Sequence, residues 1–323
     1  MNLVRVGVIG LGLIGGSIAR RLAELPDKYD PIGFDIQREN RAGLETVDSI
    51  EQLAKTADLV VVAVPPQATA SVIAAVLSGN QDVLVTDVAS VKAPIVKEIS
   101  DHKDRYLPSH PLAGAETSGW HFAKPELLTA TTWAVCPTSP SAPAEPFCRW
   151  AELFDAFDAR LIVCDALEHD VAVARTSHAP HVAAAAILSS LDEQGSAQLA
   201  AALSGGALRD IARLASSDQH MWREVLGLNR DEVVAVLDEW LASLTVLRGA
   251  LAENRDDPID EAWARGNEMA ALVDELRWRE PAWERREFDW PAWDELKRLG
   301  RQGMALRRPS IDGGRLSADV TAP

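Results

Sequence analysis

Three shortages in the sequence each close off a class of function. The 323 residues include only three cysteines, Cys136, Cys148 and Cys164. They form neither a C-x-x-C pair nor a disulfide framework, so a reducing cytoplasm is the expected setting. Positive charge is also short, because 32 lysines and arginines face 48 acids, for a net charge of −16 and a pI near 4.9. That balance argues against nucleic acid or an anionic membrane as a general partner. An anionic small ligand would have to be met by arginines gathered locally. Long apolar runs are absent too, and nothing is long enough to span a bilayer. Residues 3–18 are largely apolar, but glycines and Arg5 interrupt them and no small-residue cleavage site follows, so they do not read as a signal peptide.

What remains is an ordinary globular composition, 47% hydrophobic and 25% charged, long enough for two domains. Residues 3–9 are almost all aliphatic, as suits a strand buried on both faces. Gly10-x-Gly12-x-x-Gly15 follows at once and opens a helical run to Leu25. This is the dinucleotide fingerprint: one glycine for the tight turn, one for close approach of the pyrophosphate, one for helix–strand packing. The helix N-terminus then offers its N–H groups to phosphate. Asp35 ends the next strand about 20 residues later, where a carboxylate accepts from ribose hydroxyls and repels a 2′-phosphate. NAD is therefore expected over NADP, with Arg38 nearby leaving dual use open. Further strands are expected over 58–64, 82–86, 105–108, 131–136 and 160–163, with helices between them.

The stretch from Ser109 to Gly119 holds His110, Glu116, three hydroxyls and two glycines after a strand. A histidine there faces the ligand crevice of an α/β sheet and can exchange a proton near neutral pH. Ser90, after the strand at 82–86, suits a helix cap or a hydroxyl aimed at the nicotinamide. From Asp165 onward the pattern is helical. The run 171–191 is apolar on nearly every face, which one small domain would not cover and which hints at a dimer. Ser177-His178-Ala179-Pro180-His181 and Gly205-Gly206-x-x-Arg209-Asp210-x-x-Arg213 flank that helix. Ser216-Ser217-Asp218 should cap a helix holding Trp222, and Asn229 the long helix after it. The last stretch, tryptophan-rich, reads as one more helix over 260–279 and then a partly irregular tail packed on the body. The boundaries expected are 1–165 for a nucleotide-binding domain, 166–300 for a helical substrate and dimerisation domain, and 301–323 for the tail.

Taken together, Gly10-x-Gly12-Leu13-Ile14-Gly15-Gly16-Ser17, Asp87-x-x-Ser90-Val91-Lys92, Ser109-His110-Pro111-x-Ala113-Gly114-x-Glu116, the histidine–proline motif and the glycine–arginine motif resemble the prephenate/arogenate dehydrogenase family of tyrosine biosynthesis. The resemblance runs from Leu3 to about Leu247. It implies a doubly wound parallel α/β sheet of the Rossmann type, followed by an all-helical dimerisation domain. It also implies His110 as catalytic base, Ser90 as its partner near the nicotinamide, and Arg213 as the anchor of a substrate carboxylate. His169, His181 and Trp222 would surround the substrate, with Glu116 and Asp210 shaping the site. The cofactor contacts expected are Gly10, Gly12, Leu13, Ile14, Gly15, Asp35, Val64, Pro65 and Ser90. Beyond Leu247 no regulatory pattern of the ACT kind is visible.

The reaction so implied is NAD-dependent oxidative decarboxylation of prephenate to 4-hydroxyphenylpyruvate, which needs no metal; arogenate giving tyrosine is the alternative. A β-hydroxyacid dehydrogenase would resemble a pattern with a lysine base on a second-domain helix, whereas the only lysine after Lys124 is Lys297. A non-catalytic NAD-binding sensor would use the glycine loop and Asp35 but have no need of Ser90, His110 and Arg213 together. The expected assembly is a cytoplasmic homodimer joined through the helical domain.

Overall fold

The computed structural model describes residues 3–37, 41, 43–99, 104–114, 117–139, 144–195, 197–278 and 280–321. The chain opens with β1 (Val4–Ile9), α1 (Leu13–Ala23), β2 (Tyr29–Phe34), β3 (Glu45–Thr46), α2 (Ile50–Thr56), β4 (Leu59–Val62), α3 (Pro66–Gly79), β5 (Leu84–Asp87), α4 (Ala93–Glu98) and β6 (Tyr106–Leu107). These strands form one parallel sheet in the order β3-β2-β1-β4-β5-β6. Val6, Val8, Val60, Val61 and Val85 are buried, so the aliphatic runs cover both faces of the sheet, as parallel strands require. The order reverses between β1 and β4, and the crevice outside their carboxyl ends is where such sheets bind ligands.

The chain then crosses to a second sheet through β7 (Ser109–Pro111), β8 (Thr132–Val135), α5 (Ala144–Asp155) and β9 (Arg160–Val163). Its helical part comprises α6 (Ala166–Val173), α7 (Ala179–Ser189), α8 (Ala197–Ala202), α9 (Gly206–Ala215), α10 (Gln219–Leu228), α11 (Arg230–Ala252) and α12 (Asp257–Val273). A π turn at Ala174–His178 joins α6 to α7. Pro180 stands just inside α7, where it has no N–H to give and its ring crowds the preceding turn, so the ladder widens there.

The C-terminal stretch departs from expectation. It forms β10 (Trp283–Asp289), α13 (Trp293–Arg301), β11 (Leu306–Asp312) and β12 (Arg315–Thr321), and the strands complete the second sheet in the order β10-β12-β11-β9-β8-β7. The supposed tail 301–323 is thus, over its described residues, a hairpin on the body of the nucleotide-binding half. Leu316, Ala318 and Val320 are fully buried on one face of β12, and Gly313 and Gly314 turn the hairpin with φ of 54° and 80°. Trp290 and Trp293 pack on Phe147 of α5 with ring centroids 4.9 and 5.1 Å away, which is the tail-to-body packing expected of these aromatics.

The helical part has only a small core of its own, Ala174, Ala179, Val233 and Val236. The run at 171–191 is not covered within the protomer: of α7 only Ala179 and Ala184 are buried. Leu199, Leu203, Leu241 and Leu244 are also exposed, and so much open apolar surface marks an interaction face.

Candidate active site

Gly10 adopts φ of 89° and a Cβ there would stand 2.4 Å from the Ala63 carbonyl oxygen; at Gly15 it would stand 1.9 Å from the oxygen of Gly10. Packing therefore dictates both glycines. Gly12 is different, since a Cβ there would meet nothing within 4 Å, and its bareness serves only a ligand. The N-terminus of α1 has no side-chain cap, so its N–H groups face this open space. Leu13 and Ile14, half-buried, form its first turn. Val64 and Pro65 follow β4 across the crevice. These features fit a dinucleotide pyrophosphate.

Asp35 ends β2 as expected and also has a structural task. Its carboxylate accepts from the N–H of Leu11 at 2.7 Å and of Gln37 at 2.7 Å, and Arg41 lies 3.4 Å away. One lone pair of Oδ1 remains in reach of a ribose hydroxyl. Arg38 lies outside the described residues.

His110 is not in a loop but in β7, paired with Ala134 of β8, where the chain passes from one sheet to the other. Its backbone is held from below. Lys92, fully buried, forms an ion pair with buried Asp87 and donates to the Ser109 carbonyl at 2.8 Å. Tyr106 donates to the other oxygen of Asp87 at 2.8 Å, and Ser109 Oγ bonds the Asp87 carbonyl at 2.7 Å. His110 is largely buried, with part of the residue still open to solvent. Burial pushes its pKa well below the usual histidine value, and His169, Lys92 and His178 push it further the same way. At neutral pH the ring is neutral, with a lone pair to offer.

Its Nδ1 lies 2.9 Å from Nε2 of His169, whose Nδ1 lies 2.7 Å from Asp170 Oδ1. His169 thus stands behind His110 with both nitrogens engaged. Asp170 also accepts from the backbone N–H of Lys92 and Ala93 at 2.8 and 2.7 Å, capping α4 from the second domain. Ser90 therefore does not cap that helix, and its hydroxyl bonds no described residue. Asn229, expected to cap α11, instead donates to the Asp170 carbonyl at 2.9 Å and lies 3.0 Å from His178 Nδ1.

A second group stands on the helices. His181 donates from Nδ1 to the Ser177 carbonyl at 2.8 Å and stacks on Trp222 at 3.9 Å between centroids. Trp222 also meets His178 edge-on. Burial pushes His178 down to about 4 against the pull of Asp170. Burial also lowers His181; its bond to Ser177 opposes this, and Arg213 on α9 lowers it further. Arg213 therefore lies within electrostatic reach of the His181–Trp222 pair, while Asp210 is exposed on the same helix. Of the expected capping segment Ser216-Ser217-Asp218, Asp218 caps α10, accepting from Met221 N–H at 2.8 Å. Glu116 lies outside the described residues. Sequence reasoning missed the buried Asp87–Lys92 pair and the reach of Asp170 across the domains.

Residues 19–163 match the nucleotide-binding domain of prephenate dehydrogenase, and residues 165–264 match its dimerization domain. A cyclohexadienyl dehydrogenase of Zymomonas mobilis is 33% identical over 264 residues, 78% of this chain and 90% of that one. A prephenate dehydrogenase of Bacillus subtilis is 29% identical over 74% of this chain and 68% of its own length. In fold, the chain is similar to a prephenate dehydrogenase of Aquifex aeolicus solved with hydroxyphenyl propionate and NAD+, with a TM-score of 0.77, 22% identity, and coverage of 85% of this chain and 99% of the other. With both halves matched in order, this chain belongs to the prephenate dehydrogenase family.

Proposed function

We propose that the chain carries out NAD-dependent oxidative decarboxylation of prephenate, giving 4-hydroxyphenylpyruvate and carbon dioxide, with His110 as the base. The observation that carries this reading is the setting of His110: its Nδ1 is tied back to His169, burial holds its ring toward the neutral form, and neighbouring Ser109 is bonded to Asp87 at the carboxyl end of β5, the side on which such sheets bind ligands. The Zymomonas relative's name covers a cyclohexadienyl substrate more broadly, so arogenate, with an amino group in place of the side-chain ketone, is the second substrate to assay.

Most of the expected residues have work consistent with their places. Gly10, Gly12, Gly15 and the first turn of α1 hold the pyrophosphate, Asp35 the ribose, and Val64 and Pro65 the far wall. Ile36 is 87% exposed beside Asp35 and offers the adenine an apolar face. The nicotinamide, when bound, supplies the acceptor for the ring hydrogen and its electron pair. His110 Nε2 takes the hydroxyl proton, for which a positioned base contributes roughly 10²–10⁴ in rate. The ring carboxylate then leaves as carbon dioxide, its bonding electrons completing the aromatic ring. Ser90, whose hydroxyl has no partner among the described residues, lies on the loop between Asp87 and Lys92 and serves this end of the site. Arg213 anchors a substrate carboxylate, with His181 and Trp222 forming the wall beside it. The open leucines of the helical half are covered by a second copy, making a homodimer, and the unbridged thiols suit the cytoplasm.

Arg213→Ala tests the substrate end. Losing a charge-assisted bond to a carboxylate costs about 1.5–3 kcal/mol, so KM for prephenate should rise roughly ten- to a hundredfold. KM for NAD should hardly move, and Arg213→Lys should restore part of the loss because a point charge lacks the two-pronged contact. Steady-state kinetics on both substrates decide: equal damage to the two constants, or none, removes Arg213 from the site. At the cofactor end, Asp35→Ser should raise KM for NAD and improve the relative use of NADP, since the charge that repels a 2′-phosphate is gone. A wild-type protein that already prefers NADP would contradict this.

A further inference from the structure

We propose that Asp170 and His169 form a hydrogen-bonded relay behind His110 that fixes which ring nitrogen of His110 is the base. The proposal rests on the reading of His110 as base and gives two residues a positioning role.

The argument starts at Asp170. Its carboxylate is clamped by two backbone N–H groups, those of Lys92 and Ala93, which can only donate. The His169 nitrogen facing Oδ1 at 2.7 Å must then carry a hydrogen. With Nδ1 so committed, the neutral form of His169 presents a lone pair at Nε2. That lone pair faces His110 Nδ1 at 2.9 Å, so His110 carries its hydrogen on Nδ1 and keeps Nε2 bare. With both rings neutral, the opposite arrangement fails at one joint or the other. A hydrogen on His110 Nε2 would set two lone pairs against each other at 2.9 Å. Reversing His169 as well would set a lone pair against the carboxylate. The two rings meet edge-on at 76°, which suits a hydrogen bond and not a stack.

The relay also answers the charge that catalysis creates. When His110 Nε2 takes the substrate proton, the ring becomes an imidazolium, and its Nδ1–H bond to His169 strengthens. Asp170 lies one ring further, so the positive charge forms in line with a fixed negative one. The proton stays on His110 until carbon dioxide leaves and the electrons it frees reach the ring oxygen, which then takes the proton back from Nε2 as the phenol forms. His169 and Asp170 are 3% and 1% exposed, so neither touches substrate. The three residues come from β7 and α6, which places the base on one domain and its orienting groups on the next.

Asp170→Asn separates charge from orientation. An amide that keeps its oxygen toward Lys92 N–H and His169 gives up only the bond from Ala93 N–H, so the tautomers of His169 and His110 stay and the negative charge behind them goes. We expect kcat to fall roughly tenfold, the difference between a charge-assisted and a neutral hydrogen bond, with KM for NAD and prephenate unchanged. His169→Phe keeps the ring shape and removes both bonds, and should cost kcat about a hundredfold. His169→Gln can accept from His110 and donate to Asp170, and should recover most of that loss. Histidine nitrogen NMR of the wild type should show hydrogen on Nδ1 of His110, kept in Asp170→Asn. Hydrogen on Nε2 in the wild type would overturn the relay. So would near-normal turnover in Asp170→Asn and His169→Phe while His110→Asn is inactive; that result spares the base. If His110→Asn also turns over normally, the base reading itself fails. Should Asp170→Asn not fold, the His169 pair and the wild-type tautomer decide.

Discussion

Replacing His110 with asparagine is expected to lower kcat about a thousandfold and leave the affinity for NAD intact. Asparagine fills similar space and can still donate toward His169 Nε2, so β7 and its pairing with β8 should survive. What goes is the bare Nε2. The same assignment fixes the pH dependence. The protonated ring is inactive, and burial pushes its pKa well below the ordinary histidine value, with His169, Lys92 and His178 adding to the shift. Activity should therefore be level at neutral pH and fall only as the pH drops through that lowered pKa. Rates at saturating substrate across an acid-to-neutral series check both points. Turnover within a fewfold of wild type in His110→Asn, or an acid limb above the ordinary histidine range, would remove His110 from its role.

The largest expected loss of stability lies under the same strand. Lys92→Met should destabilise the fold by about 3–5 kcal/mol, the usual result of stripping one partner from a buried ion pair. Asp87 and Lys92 are both 0% exposed, so no water can replace the ammonium. Asp87 would keep the Tyr106 hydroxyl and the Ala89 N–H, which softens the loss toward the lower end of the range. The Ser109 carbonyl would lose its donor, which should loosen the backbone at His110 and reduce kcat as well. Urea unfolding without cofactor measures the first effect. Asp87→Leu combined with Lys92→Met should regain much of the stability, because an apolar pair leaves no charge stranded. A single-variant loss below about 1 kcal/mol would mean that the pair is not the buried strut it resembles.

What the sequence disclosed about this site was local, and what it hid was long-range. The Gly10–Gly15 loop shows itself because strand, turn and helix are adjacent, and Asp35 because it ends the next strand. Ser49 as a cap needs only Gln52 three residues on, and the structure has that bond at 3.1 Å. Asp170 could not be read in this way. It caps α4 from 78 residues away, and no spacing rule connects an acid on one domain's first helix to a turn in the other. The burial of Lys92 was hidden for the same reason, because Asp87 and the Ser109 carbonyl enclose its ammonium only once β5 and β7 lie side by side. The C-terminal hairpin was more accessible. Leu316, Ala318 and Val320 alternate with Arg315, Ser317 and Asp319 after Gly313-Gly314, a strand-and-turn signal masked by the charge around it. α13 clamps on the start of α6, where Lys297 pairs with Asp165 and Arg301 reaches Glu168 at 2.5 Å. The lysine that stands alone after Lys124 therefore has a structural partner.

The central claim is that the base, the dinucleotide cradle and the arginine-bearing helix together oxidise and decarboxylate one ring. The most direct test supplies the purified chain with NAD and prephenate and follows NADH, carbon dioxide and 4-hydroxyphenylpyruvate together, with arogenate in a parallel reaction. The account predicts that the three products appear in equal amounts from prephenate, and that His110→Asn and Arg213→Ala depress all three alike. NADH formed without carbon dioxide, or no NADH from either substrate by a protein that binds NAD, would contradict it.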